Sequence, residues 1–273
     1  MQESIAVGSP TSLPAPFIKR RLHSLTGFFL VLFLFEHLFT NSQAALFFGD
    51  YGNGFVQAVN FIQSLPYLPV IELTLIAVPM LLHTWWGIQY LYSAEPNSYK
   101  TDGSTAALPN YRPNHAYTWQ RITAIILVGG ILFHVVSMRF INYPSESMNG
   151  IIKEYRVRIS SDATLPTLAA RLGCRLDYQS NAVIVNAPTF GAAVLLTVRD
   201  SFKSLWTCFF YTLFVLAASF HSMNGLWTFA ISWGITLSKS SQRGMRLFSN
   251  CIMFLITLLG LAAIWGTYWI SLC

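Results

Sequence analysis

Four histidines, His37, His83, His134 and His221, lie inside apolar, helix-length stretches of this chain. An ionisable side chain at bilayer depth is costly, and it faces a bundle interior or marks a functional site. Neutral imidazole is a good ligand for iron, zinc or copper. Four imidazoles on four separate segments are the number needed to ligate two haem irons from both faces. A proton relay is the rival chemistry, because histidine chains also serve pumps and transporters. A bare zinc or copper site fits less well, since no carboxylate or thiolate joins the histidines at usable depth. Glu36, beside His37, and Glu72, near a segment end, are the two exceptions. Any one of these histidines alone is explained as readily by packing or a hydrogen bond. Their arrangement in depth carries the inference.

That depth depends on the segments that hold them. The 273 residues are 53% hydrophobic and 10% charged, well short of the charge of a soluble domain, about 25%. A membrane-spanning helix needs about 20 mostly apolar residues. Five stretches qualify, at roughly 24–41, 68–94, 121–141, 205–235 and 248–271. No secretory leader is read at Met1–Pro16, which is polar and has no apolar run. The expected fold class is therefore an all-α membrane protein of five transmembrane helices, a bundle able to bind haem.

Orientation follows from the basic residues. Lys19, Arg20 and Arg21 precede the first span. Lys100, Arg112 and Arg121 lie between the second and third, and Lys239, Arg243 and Arg246 between the fourth and fifth. The 42–67 loop has no Lys or Arg. By the positive-inside rule the N-terminus is cytoplasmic and the C-terminus outside. The 142–203 loop carries seven basic residues, but at about 60 residues it is near the length at which loop charge stops counting.

With that orientation and a rise of about 1.5 Å per residue, the histidines sort into two levels. His37 and His134 lie toward the outer ends of the first and third spans. His83 and His221 lie deeper, about 15 residues in from the outer ends of the second and fourth. The levels differ by roughly ten residues, or about 15 Å. Two bis-histidine haems stacked across the membrane fit this spacing. Small residues flank the ligands, as a flat macrocycle between helices requires: Gly87, Gly129, Gly130 and Gly225. Glycine is also common wherever membrane helices pack closely. With no CxxCH, such haem is non-covalent.

The rest of the chain divides as follows. Residues 1–18 read as a mobile cytoplasmic tail, 19–142 as transmembrane helices one to three, 143–203 as an outer-face insertion and 204–273 as helices four and five. Gly49, Gly52 and Gly54 surround Asp50 in the first outer loop, followed by an amphipathic piece at Val56–Leu65. Pro79 should bend the second span by freeing the carbonyl of Leu75. Residues 95–117 read as an irregular connection. In the insertion, Tyr155–Ile159 alternates like a strand, Asp162 or Thr164 could cap a short helix ended by Gly173, and Ala182–Val185 reads as a second strand. A small α/β lid of βαβ type is expected there.

Several stretches carry a family resemblance: Arg20-Arg-Leu-His-Ser-Leu-Thr-Gly27, Glu36-His-Leu38, Pro79-Met-Leu-Leu-His-Thr-Trp-Trp-Gly87, Gln120-Arg-Ile-Thr123, Phe220-His-Ser-Met-Asn-Gly-Leu-Trp227 and Trp233-Gly-Ile-Thr236. The chain resembles the di-haem cytochrome b membrane-anchor subunits of succinate:quinone oxidoreductases (succinate dehydrogenase and fumarate reductase), the five-helix, single-polypeptide type. The likeness covers about 19–142 and 204–273, with all four histidines in order. The 143–203 insertion is longer than the family pattern.

The resemblance implies a non-autonomous subunit in a bacterial cytoplasmic membrane. It would anchor a flavoprotein and an iron–sulfur subunit on the cytoplasmic face, and pass electrons between the iron–sulfur clusters and quinone. His83 and His221 would ligate the inner haem b, and His37 and His134 the outer one, with menaquinone reacting near the outer haem. Glu36, Glu72 and Asp50 are candidates, by depth, for the acid that exchanges protons with quinone. Glu72 is equally explained as a helix-start acid favoured by the dipole. Ser24, His23 and Arg21 are candidates to meet the inner-haem propionates. A di-haem cytochrome of a hydrogenase or formate dehydrogenase is the nearest alternative. A histidine-relay proton transporter is further off, for want of inverted repeats.

Overall fold

The computed structural model describes residues 13–45, 52–95, 97–100, 102–103 and 107–272. Readings that fall on residues 1–12, Gly49 and Asp50 lie outside these described residues. Within them, five helices are long and apolar enough to cross a membrane: span 1 (Ala15–Ser42), span 2 (Leu68–Tyr92), span 3 (Arg112–Ile141), span 4 (Leu205–Ser232) and span 5 (Lys239–Trp269). A helix satisfies its own backbone polar groups, the condition for crossing hydrocarbon. Leu32, Phe39, Leu81, Leu132 and Phe254 stand exposed on these helices, where lipid tails would cover them. The fold is that of an all-α membrane protein with a small α/β insertion.

Spans 1, 3 and 5 begin earlier than hydropathy marks them, at Ala15, Arg112 and Lys239. Their added turns carry Lys19, Arg112, Lys239 and Arg243, so the helix runs on past the apolar stretch. Proline in the first turn of spans 1 and 3 presets the backbone for helix. At span 5 a Ser238–Ser241 capping box secures the first turn. Residues 15–18 thus belong to span 1 rather than to a tail, and 112–117 to span 3 rather than to a loop. We call this end of the bundle the basic end.

Span 2 meets Pro79 with a π-helical stretch, Glu72–Ala77, just before it. Such wide turns are one way a helix absorbs a disrupted hydrogen-bond ladder. Span 3 closes on another, Val136–Ile141, and span 5 contains a third, Ala262–Gly266. All three lie at the end opposite the basic one.

Span 1 packs against spans 2, 4 and 5, and span 4 packs against spans 3 and 5. Spans 2 and 3 barely touch. Spans 1 to 4 therefore form a ring that is loose on one side, with span 1 diagonal to span 3 and span 2 diagonal to span 4. Span 5 buttresses it from outside.

The insertion supplies β1 (Ser145–Asn149), β2 (Ile152–Ile159), a short helix Leu165–Arg171, β3 (Arg175–Gln179), β4 (Ala182–Ala187) and a cap helix Phe190–Ser201. The sheet order is β1-β2-β4-β3, every neighbour antiparallel. β2 and β3 therefore run parallel with β4 between them, a βαβ unit split by an intervening strand. The expected strands and helix are present, and Gly173 ends the helix with φ 66°. The sequence reading did not find β1, β3 or the cap helix. β1 and β3 are largely exposed and carry no apolar alternation. The cap helix is buried nearly all round, so its run Gly191–Val198 has no polar face to mark it.

One face of the cap helix, with Ala192, Ala193 and Leu196, closes over Val157, Ile159, Val183 and Val185 of the sheet. Its other face, with Leu195 and Val198, joins Phe55 and Val56 of a linker helix (Asn53–Gln63), Tyr211 and Val215 of span 4, and Ile264 of span 5. The insertion is thereby fixed to the bundle, and we call this the sheet end. Asp162 ties the short helix to the cap helix through Arg199, whose Nη2 lies 2.7 Å from Oδ1. Burial acts to raise the Asp162 pKa, but hydrogen bonds from Arg199, Lys203 and Thr164 outweigh it and hold the carboxyl below the usual carboxylate range.

Candidate functional site

The bundle brings the four histidines together in two pairs, each across a diagonal of the ring. His37 of span 1 and His134 of span 3 have ring centroids 5.7 Å apart, with planes at 82°. His83 of span 2 and His221 of span 4 are 6.3 Å apart, at 83°. The first pair lies toward the sheet end, the second toward the basic end. A metal held between two imidazoles, with bonds of about 2 Å and ring half-widths of about 1 Å, separates the centroids by roughly 6 Å. Both pairs have that spacing. Among the described residues no third His, Cys, Asp or Glu completes a group that could hold a bare ion. A macrocycle that brings four nitrogens of its own needs only two from the protein.

The second nitrogen of each ring has a neighbour. His83 Nδ1 donates to the main-chain oxygen of His23 at 3.0 Å. His221 Nδ1 donates to the main-chain oxygen of Gln120 at 3.1 Å. A carbonyl only accepts, so in both rings the proton sits on Nδ1 and the lone pair on Nε2 is left for a ligand. Metal-binding histidines are held in this way. His134 Nδ1 lies 3.1 Å from the Tyr211 hydroxyl, and His37 Nδ1 3.5 Å from Asn41 Nδ2. Thr26 and Thr123 place hydroxyls near His83 and His221.

The glycines divide by what surrounds them. A Cβ on Gly27 would stand 2.8 Å from His83 Cε1, so the missing side chain leaves room for that ring. Gly130 meets Phe214 instead: a Cβ there would collide with the Phe214 ring, which makes it a helix-packing glycine. Gly87 and Gly225 lie beside His23 and Gln120, while a Cβ on Gly129 would meet no other part of the described residues within 4 Å outside its own helix backbone.

The other candidates fall in different places. His23 stacks on His83 with centroids 4.2 Å apart and planes at 9°, and its Nε2 is buried with no hydrogen-bond partner among the described residues. The Arg21 guanidinium lies over the Phe17 and Trp233 rings. Ser24, next to His23, is half-buried. Glu36 is exposed, and its Oε1 accepts from the Thr40 hydroxyl at 2.8 Å. Glu72 is bridged to Arg139 of span 3. Sequence reading missed Tyr211, Arg139 and the orienting role of Gln120. Only Gln120 carried a signal, as a polar residue within a quoted motif.

Over 251 residues, 92% of this chain and 96% of the relative, the chain is 28% identical to the succinate dehydrogenase cytochrome b558 subunit of Bacillus subtilis (strain 168). No family model matches. The similarity supports the resemblance carried by the sequence motifs.

Proposed function

We propose that this protein, a relative of a succinate dehydrogenase cytochrome b558 subunit, is the cytochrome b membrane anchor of a succinate:quinone oxidoreductase. The observation that carries the assignment is the two imidazole pairs, at 5.7 and 6.3 Å, on opposite diagonals of one helix ring. His83 and His221 would hold an inner haem b, and His37 and His134 an outer one. Bound haem b supplies one-electron transfer, at a potential set by its axial ligands, burial and hydrogen bonding.

The protein's own groups do the rest. The main-chain oxygens of His23 and Gln120 hold the second pair in the tautomer that presents Nε2. The Tyr211 hydroxyl orients His134. His23, packed flat on His83, and its neighbour Ser24 are the residues that would meet inner-haem propionates, while Arg21 is engaged by aromatic rings. Glu36 and Glu72 are the acids proposed to exchange protons with quinone, menaquinone in this assignment. The basic end faces the cytoplasm of a bacterial cell and receives a flavoprotein and an iron–sulfur subunit. Lipid surrounds the spans.

The test is purification of the complex with haem quantification. Two b haems per chain, together with a flavoprotein and an iron–sulfur protein, are expected. Haem with hydrogenase or formate dehydrogenase subunits would reassign the complex. A chain without haem would overturn the function altogether.

A further inference from the structure

Gln120 of span 3 and His221 of span 4 are joined twice. His221 Nδ1 donates to the Gln120 main-chain oxygen at 3.1 Å, and Gln120 Nε2 donates to the His221 main-chain oxygen, also at 3.1 Å. The other end of the amide is occupied as well. Asn224 Nδ2 donates to Gln120 Oε1 at 2.7 Å, and Trp227 Nε1 donates to Asn224 Oδ1 at 2.9 Å. Arg246 of span 5 lies over the Trp227 ring, 5.0 Å from its centroid. An amide oxygen only accepts and an amide nitrogen only donates, so this chain of contacts admits one orientation of Gln120. Gly225 lies beside this contact: a Cβ on it would stand 3.9 Å from Gln120 Nε2, an ordinary van der Waals distance.

We propose that Gln120, held in place by Asn224, is the positioning residue for His221. Its side chain locks the span-4 backbone at His221 while its own carbonyl holds the ring proton. The two contacts together set the direction of Nε2 and the electron density on it. Outer-shell contacts of this kind orient ligands and tune the metal they bind. The first pair has a different device, a tyrosine hydroxyl on His134, so a change at Gln120 should be felt at one pair only.

The inference rests on the proposed haem assignment, and the test separates the two. The intact complex is prepared with Gln120→Leu, Gln120→Glu and Asn224→Ala, and each component is followed by low-temperature difference spectra, electron paramagnetic resonance and redox titration. Gln120→Leu keeps the main-chain oxygen and loses both amide contacts. It should leave haem content and the outer component unchanged. It should displace the inner-component resonance and change its oxidised-to-reduced ratio at fixed potential several-fold. Gln120→Glu keeps an acceptor for Asn224 but sets a second acceptor against the His221 carbonyl, and should shift the same component. Asn224→Ala should shift it less, in the same direction as Gln120→Leu. A role in packing alone would lower haem content or assembly without moving the inner resonance of the complex that forms. An unchanged inner component in Gln120→Leu, or in Asn224→Ala where Gln120→Leu does not assemble, overturns the proposal. So do equal shifts in both components. Absence of b haem from the wild-type complex overturns the haem assignment instead.

Discussion

Arg139 and Glu72 bridge spans 3 and 2 at the sheet end through a single Nη2–Oε2 separation of 3.1 Å. Both side chains are about half exposed, and such a pair in water adds at most about 1 kcal/mol. Its position is more informative than its strength. Spans 2 and 3 otherwise barely touch, so the pair closes the loose side of the ring near His37 and His134. Each partner lies in a π-helical stretch, and Arg139 also lies over the Tyr143 ring.

If Glu72 is the acid that serves quinone, Glu72→Gln should lower quinone turnover by about a hundredfold, the usual scale of a lost general acid or base. Haem content should stay near normal. Arg139→Gln should reproduce part of the defect, because it leaves the carboxylate without its partner. Glu36→Gln is the parallel test on span 1. Full turnover in both glutamine variants would place the proton-exchanging acid elsewhere.

The histidines should fail in pairs. His83→Ala and His221→Ala are expected to remove one spectral component and to weaken assembly with the soluble subunits. His37→Ala and His134→Ala should remove the other component, block quinone reaction and more often leave an assembled complex. Low-temperature difference spectroscopy on the four single variants decides it. Loss of the same component from His37 and His83 variants would require the ring to be redrawn.

Gly27→Ala should strike the inner component alone. The new methyl would stand 2.8 Å from His83 Cε1, and the ring has little freedom to retreat, since His23 stacks on it and accepts its Nδ1 proton. The expected outcome is loss or displacement of the inner component with the outer one intact. An unaltered spectrum would show that the ring moves freely.

The insertion should weaken in acid through Asp162. Its pKa is lowered on folding, so the carboxylate stabilises the insertion above the unfolded value of about 4. That stabilisation is lost progressively as pH falls from there toward the folded value. Asp162→Asn should remove it at neutral pH and leave buried Arg199 without its charge partner, a cost on the order of 3 kcal/mol. Hydrogen exchange in β2 and the cap helix, at pH 7 and in acid, is the measurement. Equal protection in wild type and Asp162→Asn at pH 7 would contradict the assigned role.

Much of this protein can be read without coordinates. Hydropathy marks five spans, and a fixed rise per residue converts each histidine's position into depth. Depth alone sorted His37 with His134 and His83 with His221, because it needs no knowledge of how the helices are rotated. In the insertion, Tyr155–Ile159 was visible because a half-buried strand alternates. The fully buried cap helix and the exposed strands β1 and β3 show no such contrast, and none of them was read.

Rotation and neighbourhood belong to the tertiary structure. Whether a ring at a given depth faces its counterpart depends on how each helix turns about its own axis, and packing sets that turn. The partners of the rings follow from the same cause. Tyr211 reaches His134 from span 4, Gln120 reaches His221 from 101 residues away, and Arg139 reaches Glu72 from 67. No local pattern encodes these meetings. Each exists only where two helices, individually specified by their apolar lengths, come to lie side by side.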